Sequence, residues 1–381
     1  MSKTILPEPL TALVARIIAA AGSAEAEARK VAANLVLANL SGHDSHGVGM
    51  VPRYVDAVQE GGLRPNTGAK ATMDIGTLLA LDGQRGYGQI VGEQAMQMGI
   101  ERTLQHGSCI LTVGNSHHLG RIGHFAEMAV AAGLVSLHFV NVLSRPVVAP
   151  FGGGDGRFGT NPCCIGVPLK RQERSAAGPP QGGAAPPGGS DPHAVGERGG
   201  EHFVLDFATS RVAQGKMRVA HNKGERVPEG YLIDERGAPT TDPGVVVVPQ
   251  AGGLFGALTT FGEHKGYGMA VACELLGGAL SGGGTWHRAA DTARTVLNGM
   301  LTVLIDPARL GTQQAFEQEA AAFVDWLRQC PPGAGFEGVQ IAGEPERRAR
   351  VARGRDGIAI DDATWAELRA AGAKVGAALP D

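Results

Sequence analysis

Two histidine-bearing turns are the places where this sequence can do chemistry. The first is His43-Asp44-Ser45-His46-Gly47, followed at helical spacing by Val51, Tyr54, Val55 and Val58. The second is Asn115-Ser116-His117-His118-Leu119-Gly120, which follows the β-branched run 109–113 and precedes Ile122, Phe125, Ala126, Ala129 and Val130. Imidazole has an ordinary pKa near neutrality, so it can give or take a proton during turnover. A strand that turns directly into a helix at His118 would place this ring at the positive end of the helix dipole, favouring its neutral form. His46 in the same reading opens a helix, with Arg53 two turns further along. A guanidinium there is either a bidentate clamp for a carboxylate or half of a surface ion pair.

Three further segments bear on binding. Glu263-His264-Lys265-Gly266-Tyr267-Gly268 leads into the apolar helical stretch 269–280. Free backbone N–H groups and a lysine would meet a phosphate or carboxylate there, unless the segment is a plain solvated cap. Asp206-Phe207-Ala208-Thr209-Ser210 ends an apolar strand with a carboxylate and two hydroxyls. That set suits the orientation of an imidazole or a ribose, and equally the capping of the next element. Gly154-Asp155-Gly156-Arg157-Phe158-Gly159 has the spacing of a dinucleotide-binding turn, but Thr160-Asn161-Pro162-Cys163-Cys164 follows it and cannot open a regular helix. A standard Rossmann reading therefore fails at this motif.

The wider composition narrows the classes. The 381 residues hold Lys+Arg 34 against Asp+Glu 37, a formal net charge of −3, so nucleic acid and anionic membranes are not expected partners. The five cysteines form no CxxC pair and read as reduced thiols of a cytoplasmic protein, with Cys163 and Cys164 packing in a strand. Leu10, Leu13, Val14, Ile17 and Ile18 fall on one face of an amphipathic helix rather than in a signal peptide, and no membrane span is expected. HExxH is absent, His43 and His46 are loosely spaced for zinc, and His117 and His118 diverge in regular structure. No metal is expected, and a metal-dependent lyase or hydrolase is the alternative from another class.

Positioning these residues requires three parts. Residues 1–70 read as an N-terminal helical part, with Ser23 as a cap and breaks at Ser41-Gly42 and Gly61-Gly62. Residues 71–260 alternate strands and helices, the strands including 77–81, 135–140 and 203–206. Within them 171–200, rich in Ala, Gly and Pro, reads as a flexible insertion. Residues 261–381 read as a C-terminal helical part packing with the N-terminal helices. The fold class is α+β.

Seven segments in order resemble the malate/L-lactate dehydrogenase family that lacks a Rossmann fold. They are Gly42–Gly47 with Arg53-Tyr54, Asn115–Gly120, Ala149-Pro150-Phe151-Gly152-Gly153, Gly159-Thr160-Asn161-Pro162, Leu205–Ser210, Gly237–Pro243 and His264–Gly268. The first two look most like its bacterial hydroxycarboxylate dehydrogenase branch. The resemblance implies a non-Rossmann NAD(P)-binding domain with a mixed, mostly antiparallel sheet. It also implies a homodimer with a shared active site, acting by hydride transfer between a 2-oxo acid and a 2-hydroxy acid. Reduction of a cyclic imine carboxylic acid is the nearest alternative. By resemblance, His46 gives the proton with Ser45 and Asp206 as partners, although other members assign that role to the counterpart of His118. Arg53 would hold the carboxylate of a small-molecule substrate, with Thr160 and Asn161 lining the same pocket. Asp206, Ala208, Thr209, Ser210, His264, Lys265 and Gly266 would bind NAD or NADP, with Gly343 and Glu344 completing the pocket. The family's Pro-Gly-Glu near the C-terminus is Ala342-Gly343-Glu344 here.

Overall fold

Strands from widely separated parts of the chain meet in one seven-stranded sheet. In this computed structural model, which describes residues 2–169, 202–287 and 295–379, its order is Lys70–Ile75, Leu78–Asp82, Ser108–His117, Leu297–Ile305, Val135–Leu143, Cys163–Pro168, His202–Phe207. The stretch 171–200 read as an insertion lies outside the described residues. Leu78–Asp82 and Ser108–His117 run parallel, joined by the helix Gly88–His106 that such a crossover requires. The other five pairings are antiparallel, so the sheet is mixed, as expected.

One expectation fails here. The stretch 261–381 is not wholly helical, because Leu297–Ile305 runs through the middle of this sheet, between Ser108–His117 and Val135–Leu143. Six of its nine residues are buried. A strand covered on both faces loses the alternation that marks strands in sequence, and Asn298, Gly299 and Thr302 also interrupt its apolar run.

Apolar residues collect in three main clusters. The first joins Leu10, Val14, Ile17 and Ile18 of helix Pro7–Ala20 to Val31 and Leu35 of Glu25–Leu40, Tyr54 and Val55 of Val51–Gln59, and Leu368 of Asp362–Lys374. Each such side chain contributes roughly 1.5–3 kcal/mol by leaving water. The two ends of the chain also pair directly, with Ser2–Ile5 antiparallel to Ile358–Asp361. Asp361 caps the last helix by accepting from Thr364 N, as its position in the sequence suggests. The second cluster packs helices Gly88–His106 and Gly123–Ala131 on the large sheet through Val91, Met96, Phe125, Leu111 and Met300. The third surrounds a small sheet of Leu232–Ile233, Pro239–Thr240 and Ala257–Leu258, and includes Val148, Phe158 and Met217. Cys163 and Cys164 are buried in strand Cys163–Pro168. Among the described residues no helix is long and apolar enough to cross a membrane.

Candidate active site

His46 and His118, 72 residues apart in sequence, touch. His46 Nδ1 lies 3.2 Å from His118 Nε2, with the ring planes 9° apart and the ring centres at 5.3 Å. The facing nitrogens are far closer than the centres, so the rings meet edge to edge, as an N–H···N bond requires. On its other side His118 Nδ1 lies 2.7 Å from Tyr54 Oη, which in turn accepts from Gln89 Nε2 at 2.8 Å. Tyr54 and Gln89 are fully buried and His118 is 8% exposed, whereas His46 is half-buried.

Each histidine sits on backbone fixed by other elements. Strand Ser108–His117 ends before His118, and the next helix starts only at Gly123. His118 is therefore not at a helix N-terminus as expected. It stands in a connecting segment where His117 N donates to Gly86 O at 3.0 Å and Leu119 N to Asn298 Oδ1 at 2.9 Å. Gly88, which opens helix Gly88–His106, passes so close that a Cβ on it would lie 2.2 Å from His118 O. His46 likewise does not open a long helix. It closes the short turn Asp44–His46, a second turn Val48–Met50 follows, and Arg53 lies in the first turn of helix Val51–Gln59. Buried Asn39 grips both sides of His46, donating to Asp44 Oδ1 at 2.7 Å and accepting from Val48 N at 2.8 Å. Arg353, in helix Glu344–Asp356, donates to Asp44 Oδ1 and Oδ2 at 2.7 and 3.1 Å, and His43 Nε2 meets Glu346 Oε1 at 3.0 Å.

Burial sets the charge of this pair. It lowers His46 to about 4, with His43 and Arg121 adding to the effect. His118 is lowered well below the ordinary value, by burial first and then by His46, His117 and Arg53. Both rings are thus neutral at pH 7, through desolvation rather than through the helix dipole. Arg53 has no ion-pair or hydrogen-bond partner among the described residues. Desolvation and the charge of Arg218 lower its pKa, and Arg53 in turn lowers that of Arg145. Arg218 is ion-paired with Glu367 at 3.9 Å, so Arg53 is the cation beside the histidine pair that stays available to an anion among the described residues.

The other expected residues divide by what already engages them. Ser45 is exposed and makes no hydrogen bond to His46, and its Cβ lies 3.0 Å from where a Cβ on Gly215 would sit. Asp206 does not reach His46 either. Its Oδ2 accepts from Gly123 N at 2.7 Å, capping helix Gly123–Ala131 from the neighbouring strand, and burial raises its pKa against the pull of Arg121. The Asn161 side chain is fully committed, accepting from Val142 N and donating to Ala270 O and Glu274 Oε2. The backbone oxygens of Thr160 and Asn161 accept from the buried Thr209 hydroxyl at 3.0 and 2.9 Å, and Ser210 Oγ donates to Val212 O. Ala208 lies half-buried between Asp206 and this pair. Glu344 accepts from Ile341 N and Arg328 Nη2, while Gly343 takes φ +95° to start the helix. Both are spent on local structure.

His264, Lys265 and Gly266 do form the start of helix His264–Cys273. His264 and Lys265 are exposed, and the Lys265 ammonium has no carboxylate partner among the described residues. A Cβ on Gly268, at the start of the second turn, would meet nothing within 4 Å. An unpaired ammonium, open space and helix-terminal N–H groups fit the pyrophosphate of a dinucleotide. Among the described residues no group of three or more His, Cys, Asp or Glu could hold a metal ion.

The residues missed in sequence are Tyr54 and Gln89, together with a buried ion cluster next to Asp206. In that cluster Arg121 Nη2 donates to Glu127 Oε2 at 2.5 Å, Arg350 Nη2 donates to Glu127 Oε1, and Arg350 Nε donates to Ser41 Oγ at 2.8 Å. A tyrosine inside an otherwise aliphatic helix stripe is a usable signal, because its hydroxyl needs a partner once buried.

Comparison with known proteins identifies the family. A sequence model of the malate/L-lactate dehydrogenase family matches residues 5–176 and 172–369. Hydroxycarboxylate dehydrogenase B of Escherichia coli strain K12 is 42% identical over 361 residues, covering 93% of this chain and 90% of that protein. L-lactate dehydrogenase of Cupriavidus necator is 41% identical over 372 residues, covering 96% of this chain and 97% of that protein. A solved Escherichia coli structure of the malate/lactate dehydrogenase type superposes with a TM-score of 0.86 at 39% identity, covering 100% of this chain and 96% of that one. The chain belongs to the malate/L-lactate dehydrogenase family.

Proposed function

We propose that the His46–His118 pair is the acid–base group of a nicotinamide-dependent enzyme that interconverts 2-oxo and 2-hydroxy acids. The protein is an oxidoreductase of the 2-hydroxy acid dehydrogenase class, the class of its hydroxycarboxylate and lactate dehydrogenase relatives. The observation that carries the reading is a neutral, hydrogen-bonded histidine pair beside an arginine that has no partner of its own. Arg53 takes the substrate carboxylate in a bidentate grip, which fixes C2 and its oxygen near the pair. A bound dinucleotide supplies the hydride to C2, or accepts it in the reverse direction. In oxidation the neutral pair accepts the hydroxyl proton as C2 loses hydride. In reduction the pair, charged with one proton, returns it to the oxygen, and the added carboxylate favours that charged form.

Lys265 and the start of helix His264–Cys273 hold the pyrophosphate of that dinucleotide. The glycine-rich 154–159 segment has no part in this, since it runs into extended chain and then strand Cys163–Pro168 rather than into a helix. The reading therefore places the dinucleotide outside a Rossmann crossover. The test follows the absorbance of NADH and, separately, NADPH with pyruvate, oxaloacetate, 2-oxoglutarate, phenylpyruvate and a cyclic imine acid. Turnover of an oxo acid that survives a metal chelator is expected. No turnover of any oxo acid with either dinucleotide would refute the reading.

A further inference from the structure

We propose that Arg145 is a specificity-determining residue, which takes the far carboxylate of a 2-oxo dicarboxylate while Arg53 holds the near one. The placement follows from the register of the large sheet. Leu297 pairs with His117 on one side and with Leu143 on the other, so strands Ser108–His117 and Val135–Leu143 end level at the same edge. His118 is the first residue beyond one end, and Arg145 the second beyond the other. Two strand spacings, about 10 Å, separate those ends. Arg53 precedes Tyr54, whose hydroxyl lies 2.7 Å from His118 Nδ1, and its charge lowers the pKa of His117, His118 and Arg145 alike. Val142 N donates to Asn161 Oδ1 at 3.1 Å, which lays the Arg145 segment beside Thr160. The two guanidiniums therefore border one space, next to the histidine pair.

Arg145 is held in place without being used up. Its guanidinium carbon lies 4.0 Å from the centre of the Phe255 ring, and Nη2 donates to Val246 O at 2.6 Å. Nε and Nη1 have no hydrogen-bond partner, and no carboxylate pairs with the group, among the described residues. The side chain is half-buried, where a charge without a counter-ion is costly, and Arg53 adds a like charge that repels it. A dianion lying between the two cations relieves both. Oxaloacetate and 2-oxoglutarate place a carboxylate where 2-oxobutanoate and 2-oxopentanoate place a methyl. A monoacid would therefore set that methyl against Arg145 and leave its donors and charge unanswered.

This inference rests on the carboxylate grip given to Arg53 under the proposed function, and it names the substrate class of that site. The test is the ratio of kcat/KM for each diacid to that for its matched monoacid, measured with the full chain. The ratio should favour the diacid roughly tenfold to a hundredfold, as for hydrogen bonding to a charged group. In Arg145→Met that preference should vanish, whereas in Arg53→Lys, where the shared grip is weakened, the ratio should stay near its wild-type value. A purely structural role for Arg145 would slow both acids of a pair equally and leave the ratio standing. A wild-type ratio near one, or a preference that survives Arg145→Met, overturns the inference while the proposed function stands. If no oxo acid is turned over, the same comparison is made by calorimetry with succinate and butyrate, with and without NAD. Tighter binding of succinate that Arg145→Met abolishes would then support the second anion site although the proposed function falls. Equal binding of the two acids, or binding of neither, would overturn both.

Discussion

Replacing Glu127 with Gln should cost the protein about 3 kcal/mol at pH 7. The carboxylate lies between Arg121 and Arg350, with its side chain 14% exposed. Burial alone would raise its pKa, but the two guanidiniums win and hold it down to about 2, from an ordinary 4.5. At about 1.4 kcal/mol per pKa unit this gap is worth roughly 3 kcal/mol, within the range for breaking a buried ion pair from one side. Because the folded value is depressed, the stabilisation is fully present above the unfolded pKa and is lost as pH falls through the folded one. Gln keeps the shape and can accept hydrogen bonds, but it removes the anion that both guanidiniums grip and leaves Arg121 with Asp206 alone. The assay is equilibrium urea unfolding of both proteins from pH 7 downward. The stability gap should begin to close below about pH 4.5 and have less than half its size by about pH 3. Equal midpoints at pH 7, or a gap independent of pH, would refute the electrostatic account.

Three more outcomes are expected. Arg53→Lys should raise KM for oxo acids with little change in kcat, since an ammonium cannot reproduce the bidentate fork, and an unchanged KM removes Arg53 from the site. Because burial lowers His46 to about 4, kcat/KM for oxidation should fall on the acid side with an apparent pKa near that value, and a limb near 6.5 would contradict the buried neutral pair. Gly88→Ala places a methyl against His118 O, a rigid backbone atom. It should destabilise by about 1–3 kcal/mol and depress kcat, and a wild-type melting curve and rate would show that the segment yields easily.

The sequence displayed the local parts of this protein better than their meetings. Helix Pro7–Ala20 and strand Val135–Leu143 follow from spacing and β-branched content because each is a local pattern. The two histidine turns were equally visible. Their contact was not, because it depends on helix Val51–Gln59 laying Tyr54 against the end of strand Ser108–His117. The neutral state of His118 was foreseen for the wrong reason, since a dipole argument needs only neighbours in sequence while desolvation needs the whole fold. Asp206 shows the same limit from the other side. Its composition suited an imidazole partner, but the sheet delivered it to the free N–H of Gly123. Arg350 reaches Glu127 across 223 residues, and no spacing rule connects them.

The pairing of the first strand with Ile358–Asp361 bears on how the protein is made. Ser2–Ile5 leaves the ribosome almost the whole chain ahead of its partner, on the order of tens of seconds earlier at ordinary synthesis rates. For that interval the N-terminal helices expose the apolar faces that Leu368 and its neighbours later cover. The His46 turn meanwhile lacks the grip of Arg353. Assembly of the surroundings of His46 and His118 is thereby a late event of translation, and a nascent chain stalled before the last helices presents an aggregation hazard.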